Sequence, residues 1–515
     1  MQPLRRARQA LLGGWQRVEH GFDAAFGSAR NPLRHLGALG FMLFWWLALS
    51  GIYLYAVLDT SAQGAYTSIE QLSHSRWALG GLLRSMHRYA ADAFVVVMAL
   101  HLLREWLLGH YRGVRRFSWL TGAALLPLAF FSAIGGFWLN WDQLGQFSAL
   151  ASAELLDRLP LFASPLTRNF LSAAAVSDRL FSLLVFIHLG VPLLLVFGLW
   201  FHIQRLSHAA VFPPRAVALG TSGCLLALAL AAPVLSHAPA DPAVVPGALA
   251  YDWLLLFIHP LAAATSDDAV WAMLVLALAV LFGLPFLPQP APPVVALVDP
   301  ANCNGCTRCF ADCPYAAVTM VVHPNGRAGR QLAQVDADLC TGCGICVGAC
   351  PSSTPFRSAA ELVTGIDLPS SPIGALRSRL QRELAARPAP QIVVFGCDQG
   401  ARVATLAAPD VLPFSLVCAG MLPPSFVEYA LRDGAAGVLV SGCAEGGCEF
   451  RLGQRWTEER LQGRREPHLR SHIPASSWAL AGASAGDEAA LRRALVALRR
   501  QLAAARAFEP GPAHG

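Results

Sequence analysis

Apolar runs of about twenty residues with few or no charges recur near 36–58, 85–109, 119–139, 180–204, 216–236 and 268–288. An α-helix rises about 1.5 Å per residue, so roughly 20 such residues cross the hydrocarbon core of a bilayer. About six membrane-spanning helices are therefore predicted. The pattern changes near Pro288, after which the charged residues of an ordinary soluble surface appear. There "QIVVFGC" and "GVLVSGC" have the length and branched composition of buried strands, and the intervening "PSFVEYALRDG" has that of a helix. Together they predict an α/β layer. Near the end, "DEAALRRALVALRRQLAAARAF" predicts an amphipathic helix with its arginines on a solvated face. The chain divides into a helical membrane domain over 1–290, a cysteine-rich domain over 291–355, a polar linker over 356–389 and a small α/β domain over 390–515.

Composition agrees with this division. Of 515 residues 55% are hydrophobic and only 14% charged, the balance of a membrane protein. The net charge of +6 is carried wholly by arginine, since the sequence contains no lysine. No basic stripe with interleaved aromatics points to nucleic acid. Arg5, Arg6 and Arg8 are not followed by the short apolar core and small-residue cleavage site of a signal peptide, so none is expected. Arginines concentrate in the loops on the side of the N-terminus, among them Arg112, Arg115 and Arg116. That bias predicts a cytoplasmic N-terminus, and six crossings return the chain to the cytoplasm.

Histidines inside the predicted spans carry the first chemistry. His87 and His101 lie fourteen residues apart in the second span, and His188 and His202 repeat that interval in the fourth. Fourteen residues return a helix to within about 40° of its starting direction and rise about 21 Å. Each helix thus presents two imidazoles on one face, near opposite membrane surfaces. The two spans run the same way, so His87 can face His188 and His101 can face His202, which suits two stacked bis-histidine haems. Gly37 with Gly51, and Gly122 with Gly136, repeat the fourteen-residue interval in the first and third spans. Glycine lets a flat macrocycle approach a helix backbone. His20, His35, His74, His110, His208, His237 and His259 lack such partners and are expected at surfaces or interfaces.

Over about residues 30–210 these features resemble the cytochrome b family of quinol-oxidising bc complexes. The resemblance implies haem b held by His87 and His188 near the outer face and by His101 and His202 near the inner face. Arg84 matches the position that pairs with a haem propionate, and Pro192 also fits the family. "GGFWLNWDQ" closes the third span in the family manner, although Asn140 stands where a proline is common. A later stretch, "ALAYDWLLLF", sets Tyr251, Asp252 and Trp253 against a Pro-Glu-Trp signature beside the outer quinol site. Asp252, with Tyr251, is then a candidate for exchanging a quinol proton. A solvated loop aspartate before an interfacial tryptophan explains the same residues. A quinone site beside the inner haem is the other option.

Twelve of the 13 cysteines lie beyond residue 300. Cys303, Cys306, Cys309 and Cys313 form C-x2-C-x2-C-x3-C-P, and Cys340, Cys343, Cys346 and Cys350 repeat it. In such runs the fourth cysteine ligates the other cluster. One 4Fe-4S cluster is therefore expected on Cys303, Cys306, Cys309 and Cys350, the second on Cys340, Cys343, Cys346 and Cys313. Residues 296–353 resemble the bacterial two-cluster ferredoxin domain, an α+β fold. Cys397, Cys418, Cys443 and Cys448 remain, enough for one further cluster; buried structural cysteines are the alternative. "VCAG" followed by "SGCAEGGCEF" resembles the delta subunit of methyl-viologen-reducing hydrogenase, although only Cys397 stands where that family often has a Cys-Cys-Asn-Trp-Cys run. The resemblance implies a 2Fe-2S cluster on these four. Cys224, alone in the fifth span, is expected to pack among apolar neighbours.

These resemblances imply a multi-pass protein of the bacterial inner membrane with both termini cytoplasmic. It is expected to be the electron-transfer subunit of a membrane-bound quinone oxidoreductase complex. Its soluble partner would be a flavoprotein of heterodisulfide-reductase type, a hydrogenase or a formate dehydrogenase, its other substrate a membrane quinone; a homodimer is compatible. The alternative is an anchor and wiring module without a quinone site of its own. Reduction of a soluble substrate by the chain itself finds no flavin or nucleotide fingerprint in its support.

Overall fold

The computed structural model describes residues 2–74, 79–160, 165–171, 176–204, 207–244, 248–287, 294–324, 330–353, 362–387 and 391–508. The chain forms two compact units, Met1–Gln204 with Ala209–Gln289, and Arg205–His208 with Pro290–Gly515.

The first unit is helical: α1 (Gln2–Phe26), α2 (Leu36–Val57), α3 (Ala65–Ser73), α4 (Leu79–Leu108), α5 (Arg116–Leu139), α6 (Gln143–Asp157), α7 (Asp178–Gln204), α8 (Arg215–Ala231), α9 (Ile258–Ala264) and α10 (Asp267–Gly283). A helix forms at each of the six predicted apolar runs. Among the described residues, four stretches are long and apolar enough to cross a membrane: α2, α5, α7 and Asp267–Phe286. The other two differ for separate reasons. With 30 residues α4 is long enough, but Arg84, Arg88, Asp92, Arg104 and Glu105 interrupt its apolar surface. With 17 residues α8 is apolar but covers only about 26 Å.

In the bundle α2 lies along α4, and α5 along α7. Leu43, Phe44, Ala90, Phe94, Ala129 and Leu195 meet at its centre. Small side chains such as Ala90 and Ala129 let the helices close up, which matters in lipid, where apolar contact alone favours no partner over the hydrocarbon. The amphipathic α1, which the apolar pattern does not predict, is tied to α4 by Glu19 and Arg104 at 2.8 Å. Of the histidines expected at surfaces or interfaces, two are buried. His110 Nδ1 lies 2.6 Å from Glu105, and His259 Nε2 lies 3.0 Å from Ser148 Oγ. Cys224, expected to be packed, is exposed on α8.

The second unit starts its architecture with two small antiparallel pairs. β1 (Leu297–Val298) pairs with β4 (Ile366–Asp367), and β2 (Val318–Val322) pairs with β3 (Gln331–Val335). Short helices α11 (Arg308–Asp312) and α12 (Ile345–Ala349) follow the first two cysteines of each run and contain the third. Left-handed backbone at Gly305 and Thr307, matched by Gly342 and Gly344, turns each run tightly enough to aim its thiols inward. A parallel sheet then orders its strands β6 (Val411–Leu416), β5 (Ile392–Cys397), β7 (Gly437–Gly442) and β8 (Trp478–Gly482). Every residue of β5 and β7 is buried, as expected for parallel strands covered on both faces. The covering helices include α14 (Ser425–Arg432) and α16 (Glu488–Phe508), the latter seated by Leu491, Leu495 and Leu498. Between α14 and α16 in sequence runs α15 (Gly453–Leu461).

The predicted linker over 356–389 is largely structured where it is described. It contributes β4 and α13 (Ile373–Ala385), whose Ile373, Leu376, Leu380 and Leu384 are buried in the core shared with the cysteine-rich segment. Residues 354–361 and 388–390 lie outside the described residues.

Candidate redox sites

The four predicted histidines come together as two pairs from α4 and α7. The His87 and His188 rings lie 6.4 Å apart between centroids and are inclined by 67°. Two imidazoles bound through nitrogen to one metal, at about 2 Å each, have centroids roughly 6 Å apart. A cavity of about 350 Å³ opens between the helices here, with both rings in its wall. At the other end His101 on α4 faces Gly37, and His202 on α7 faces Gly122.

Hydrogen bonds at Nδ1 fix which nitrogen is free. Ser50 Oγ donates to the Trp46 carbonyl at 2.6 Å, so it accepts from His87 Nδ1 at 2.9 Å. Thr121 Oγ1 donates to the Phe117 carbonyl at 2.9 Å and accepts from His202 Nδ1 at 3.1 Å. His188 Nδ1 donates to the Ser132 carbonyl at 3.0 Å. His101 Nδ1 stands 3.9 Å from Glu105 Oε1. In the first three rings the proton sits on Nδ1 and leaves the Nε2 lone pair for a metal, the arrangement that orients and strengthens histidine ligands. None of these hydroxyl and carbonyl partners was signalled by the sequence.

The glycines serve the same rings. A Cβ at Gly37 would stand 3.4 Å from His101 Cε1, and one at Gly51 3.2 Å from His87 Cε1. At Gly122 it would stand 2.9 Å from His202 Cε1, and at Gly136 3.0 Å from His188 Cε1. Each glycine therefore faces its own histidine, α2 serving α4 and α5 serving α7. What it spares in this structure is the space of the imidazole.

Arg84, Tyr251 and Asp252 meet at the His87 end, around a cavity of about 450 Å³ whose wall also contains His87 and His188. Arg84 donates to Ser73 Oγ at 2.6 Å and Ser236 Oγ at 2.8 Å and lies 3.5 Å from Glu70. Asp252 accepts from the backbone of Leu254 at 3.0 Å and Leu255 at 2.6 Å and pairs with Arg88. Tyr251 packs edge-on against Phe147, 5.4 Å between centroids. The aspartate is thus a partnered turn residue inside the cavity wall, not a free loop carboxylate.

In the second unit Cys303, Cys306, Cys309 and Cys350 surround one small cavity, and Cys313, Cys340, Cys343 and Cys346 surround another. The fourth cysteine of each run has crossed to the other group. Burial, and then the neighbouring thiols, pushes Cys309 up to about 12; burial pushes Cys343 up to about 12 as well. Thiolates there need a positive partner, which bound iron provides. Among the described residues no three donors converge on a single metal ion. Thiols spread around a small void suit a multi-iron cluster, in which each sulfur meets its own iron.

The third group assembles for a topological reason. Cys397 ends β5, Cys418 lies two residues beyond β6, and Cys443 directly follows β7, so three adjacent parallel strands deliver their cysteines to one sheet end. The turn after β7 adds Cys448. All four are buried, and Cys397 Sγ lies 3.8 Å from Cys443 Sγ. Contacts from Cys418 and Cys443 pull the Cys397 thiol down to about 4, whereas contacts from Cys397 and Cys448 push Cys418 up. Two thiolates on one tetrahedral metal, bonded at about 2.3 Å, stand close to that 3.8 Å separation.

Comparison with known proteins follows this division of the chain. Residues 28–210 match the family described as cytochrome b/b6/petB. Residues 296–354 match the 4Fe-4S dicluster domain, and residues 392–503 match the delta subunit of methyl-viologen-reducing hydrogenase. Among solved structures, a chain of "Hyperthermophilic respiratory Complex III" is 20% identical, with a TM-score of 0.39 over 49% of this chain and 75% of that one. The cytochrome b match implies haem, and the dicluster match implies iron-sulfur clusters. The protein is therefore a multi-pass membrane electron-transfer subunit whose segments are similar, in order, to cytochrome b, to a 4Fe-4S dicluster domain and to the delta subunit of methyl-viologen-reducing hydrogenase.

Proposed function

We propose that this chain links a cytoplasmic oxidoreductase to the membrane quinone pool through one 2Fe-2S cluster, two 4Fe-4S clusters and two b haems. These groups, when bound, supply one-electron transfer. The chain's own residues hold and tune them. His87 with His188, and His101 with His202, are the axial ligands, kept in the binding tautomer by Ser50, Ser132 and Thr121. Arg84 supplies a cation for a haem propionate. The crossed cysteine quartets hold the two 4Fe-4S clusters, and the buried thiols at the sheet end hold the 2Fe-2S cluster. Tyr251 and Asp252 form the outer quinone site, where Asp252 takes a quinol proton on parting from Arg88.

One observation carries this reading: membrane histidines with free Nε2 atoms and twelve grouped thiols share one polypeptide. Such a chain has cofactor sites on both sides of the step from soluble partner to membrane. The soluble partner is of the flavoprotein, hydrogenase or formate dehydrogenase kind, and the N- and C-termini face the cytoplasm of a bacterial inner membrane. The chemical test is stoichiometry in the purified protein. The expected content is two b haems and about ten cluster irons per chain, two sets of four and one of two. A single haem, or about eight cluster irons in protein that is otherwise fully loaded, would remove one of the assigned sites.

A further inference from the structure

Arg460, on α15, lies between the thiol group of Cys313, Cys340, Cys343 and Cys346 and the group at the sheet end, with 1% of its side chain exposed. Its Nη1 donates to the Gly420 carbonyl at 2.9 Å, and its Nη2 donates to the Asp312 carboxylate and to the Ile345 carbonyl at 3.4 Å. Each acceptor adjoins a candidate ligand. Asp312 precedes Cys313, and Ile345 lies between Cys343 and Cys346. Gly420 lies two residues beyond Cys418 and donates its N–H to Cys418 Sγ at 3.3 Å.

The backbones approach closely at this point. A Cβ at Gly348 would stand 2.7 Å from Arg460 Nη1, and one at Gly420 would stand 2.9 Å from both Gly453 Cα and Ile345 Cγ1. A guanidinium keeps its proton in a protein, so a permanent cation is enclosed between the two groups. Asp312 neutralises only part of it, because the same carboxylate also takes Arg465 Nη1 at 2.5 Å. Arg465 in turn lies 3.3 Å above the Trp456 ring centroid. Arg465 is also held by Glu459 at 2.8 Å, whereas the carboxylate that Arg460 bonds is the Asp312 it shares with Arg465.

We propose that Arg460 is a shared positioning charge that raises the reduction potentials of the second 4Fe-4S site and of the sheet-end cluster together. The proposal rests on the reading that both thiol groups hold clusters. Reduction adds one negative charge to a cluster, and cluster potentials follow the charge and hydrogen bonding around them. A buried cation, little screened by salt, favours the reduced form of each. Asp312 opposes it, so the two side chains have effects of opposite sign.

The test is a redox titration of the purified full-length chain, with each cluster followed by electron paramagnetic resonance and iron content measured in parallel. Arg460→Gln should lower the reduced-to-oxidised ratio of both clusters at least tenfold at fixed potential, which is about 59 mV for a one-electron couple. Arg460→Lys should restore most of that, and Asp312→Asn should shift the ratio the other way. Full iron content with unchanged potentials in Arg460→Gln overturns the proposal, even if the variant melts earlier. Should Arg460→Gln lose iron, Asp312→Asn decides, and an unchanged or lowered potential there overturns it. Loss of iron from both variants leaves a structural latch and overturns it too. Absence of clusters from the unmodified chain refutes the functional reading itself, and this proposal with it.

Discussion

His202→Leu is expected to lower the haem content from two per chain to one and to slow electron passage between the clusters and quinone by more than about 100-fold. Removing the partner of a histidine ligand already costs about 10–100-fold in metal affinity or activity, and removing the ligand costs more. His202 Nδ1 is held by Thr121, and the adjacent Gly122 of the same helix offers the ring no side chain that could take over its position. Leucine suits an apolar helix, and α7 already contains many leucines, so the bundle should persist. The His87 and His188 pair lies a further fourteen residues along each helix and should keep its haem. Haem per chain, with the absorption of the surviving haem, is the measurement. Two haems in the variant would show that His202 is not a ligand.

Cys350→Ser is expected to remove a cluster, and the informative point is which one. Cys350 follows Cys346 by four residues, and proximity along the chain would assign both to one cluster. It instead shares a cavity wall with Cys303, Cys306 and Cys309. The crossing follows from the short α12, which carries the chain away from its own loop and ends in extended backbone at Cys350. The variant should therefore lose about four irons and reproduce the resonance spectrum of Cys303→Ser. Cys313→Ser should reproduce that of Cys340→Ser. A Cys350→Ser spectrum matching Cys340→Ser would refute the crossed assignment.

The histidine pairs were legible because helix geometry turns a fourteen-residue interval into one face, and two helices carried the same interval. The sheet-end cysteines were legible for a similar reason, since strands that end in cysteine bring those residues to one edge. Features built from distant segments were not legible. Arg460 and Asp312 are 148 residues apart, and nothing in either neighbourhood marks the other. Ser50 and Thr121 resemble any helical hydroxyl until the histidine opposite is known. The polar appearance of 356–389 concealed α13, although Ile373, Leu376 and Leu380 follow a helical stripe that the many arginines obscured. Six apolar runs predict six spans only if each run meets the bilayer by itself. The charges of α4 and the brevity of α8 separate helices that are present from helices fit to cross on their own.

The most direct measurement of the link to the quinone pool is made on the purified, anaerobic chain with its haems and clusters chemically reduced. A quinone analogue is added while haem absorption and cluster resonance are followed together. The haems are predicted to reoxidise first, the clusters to follow, and quinol to accumulate in proportion to the electrons lost. Haems and clusters that stay intact and reduced in the presence of every quinone tested would contradict this account and leave a wiring module between protein partners.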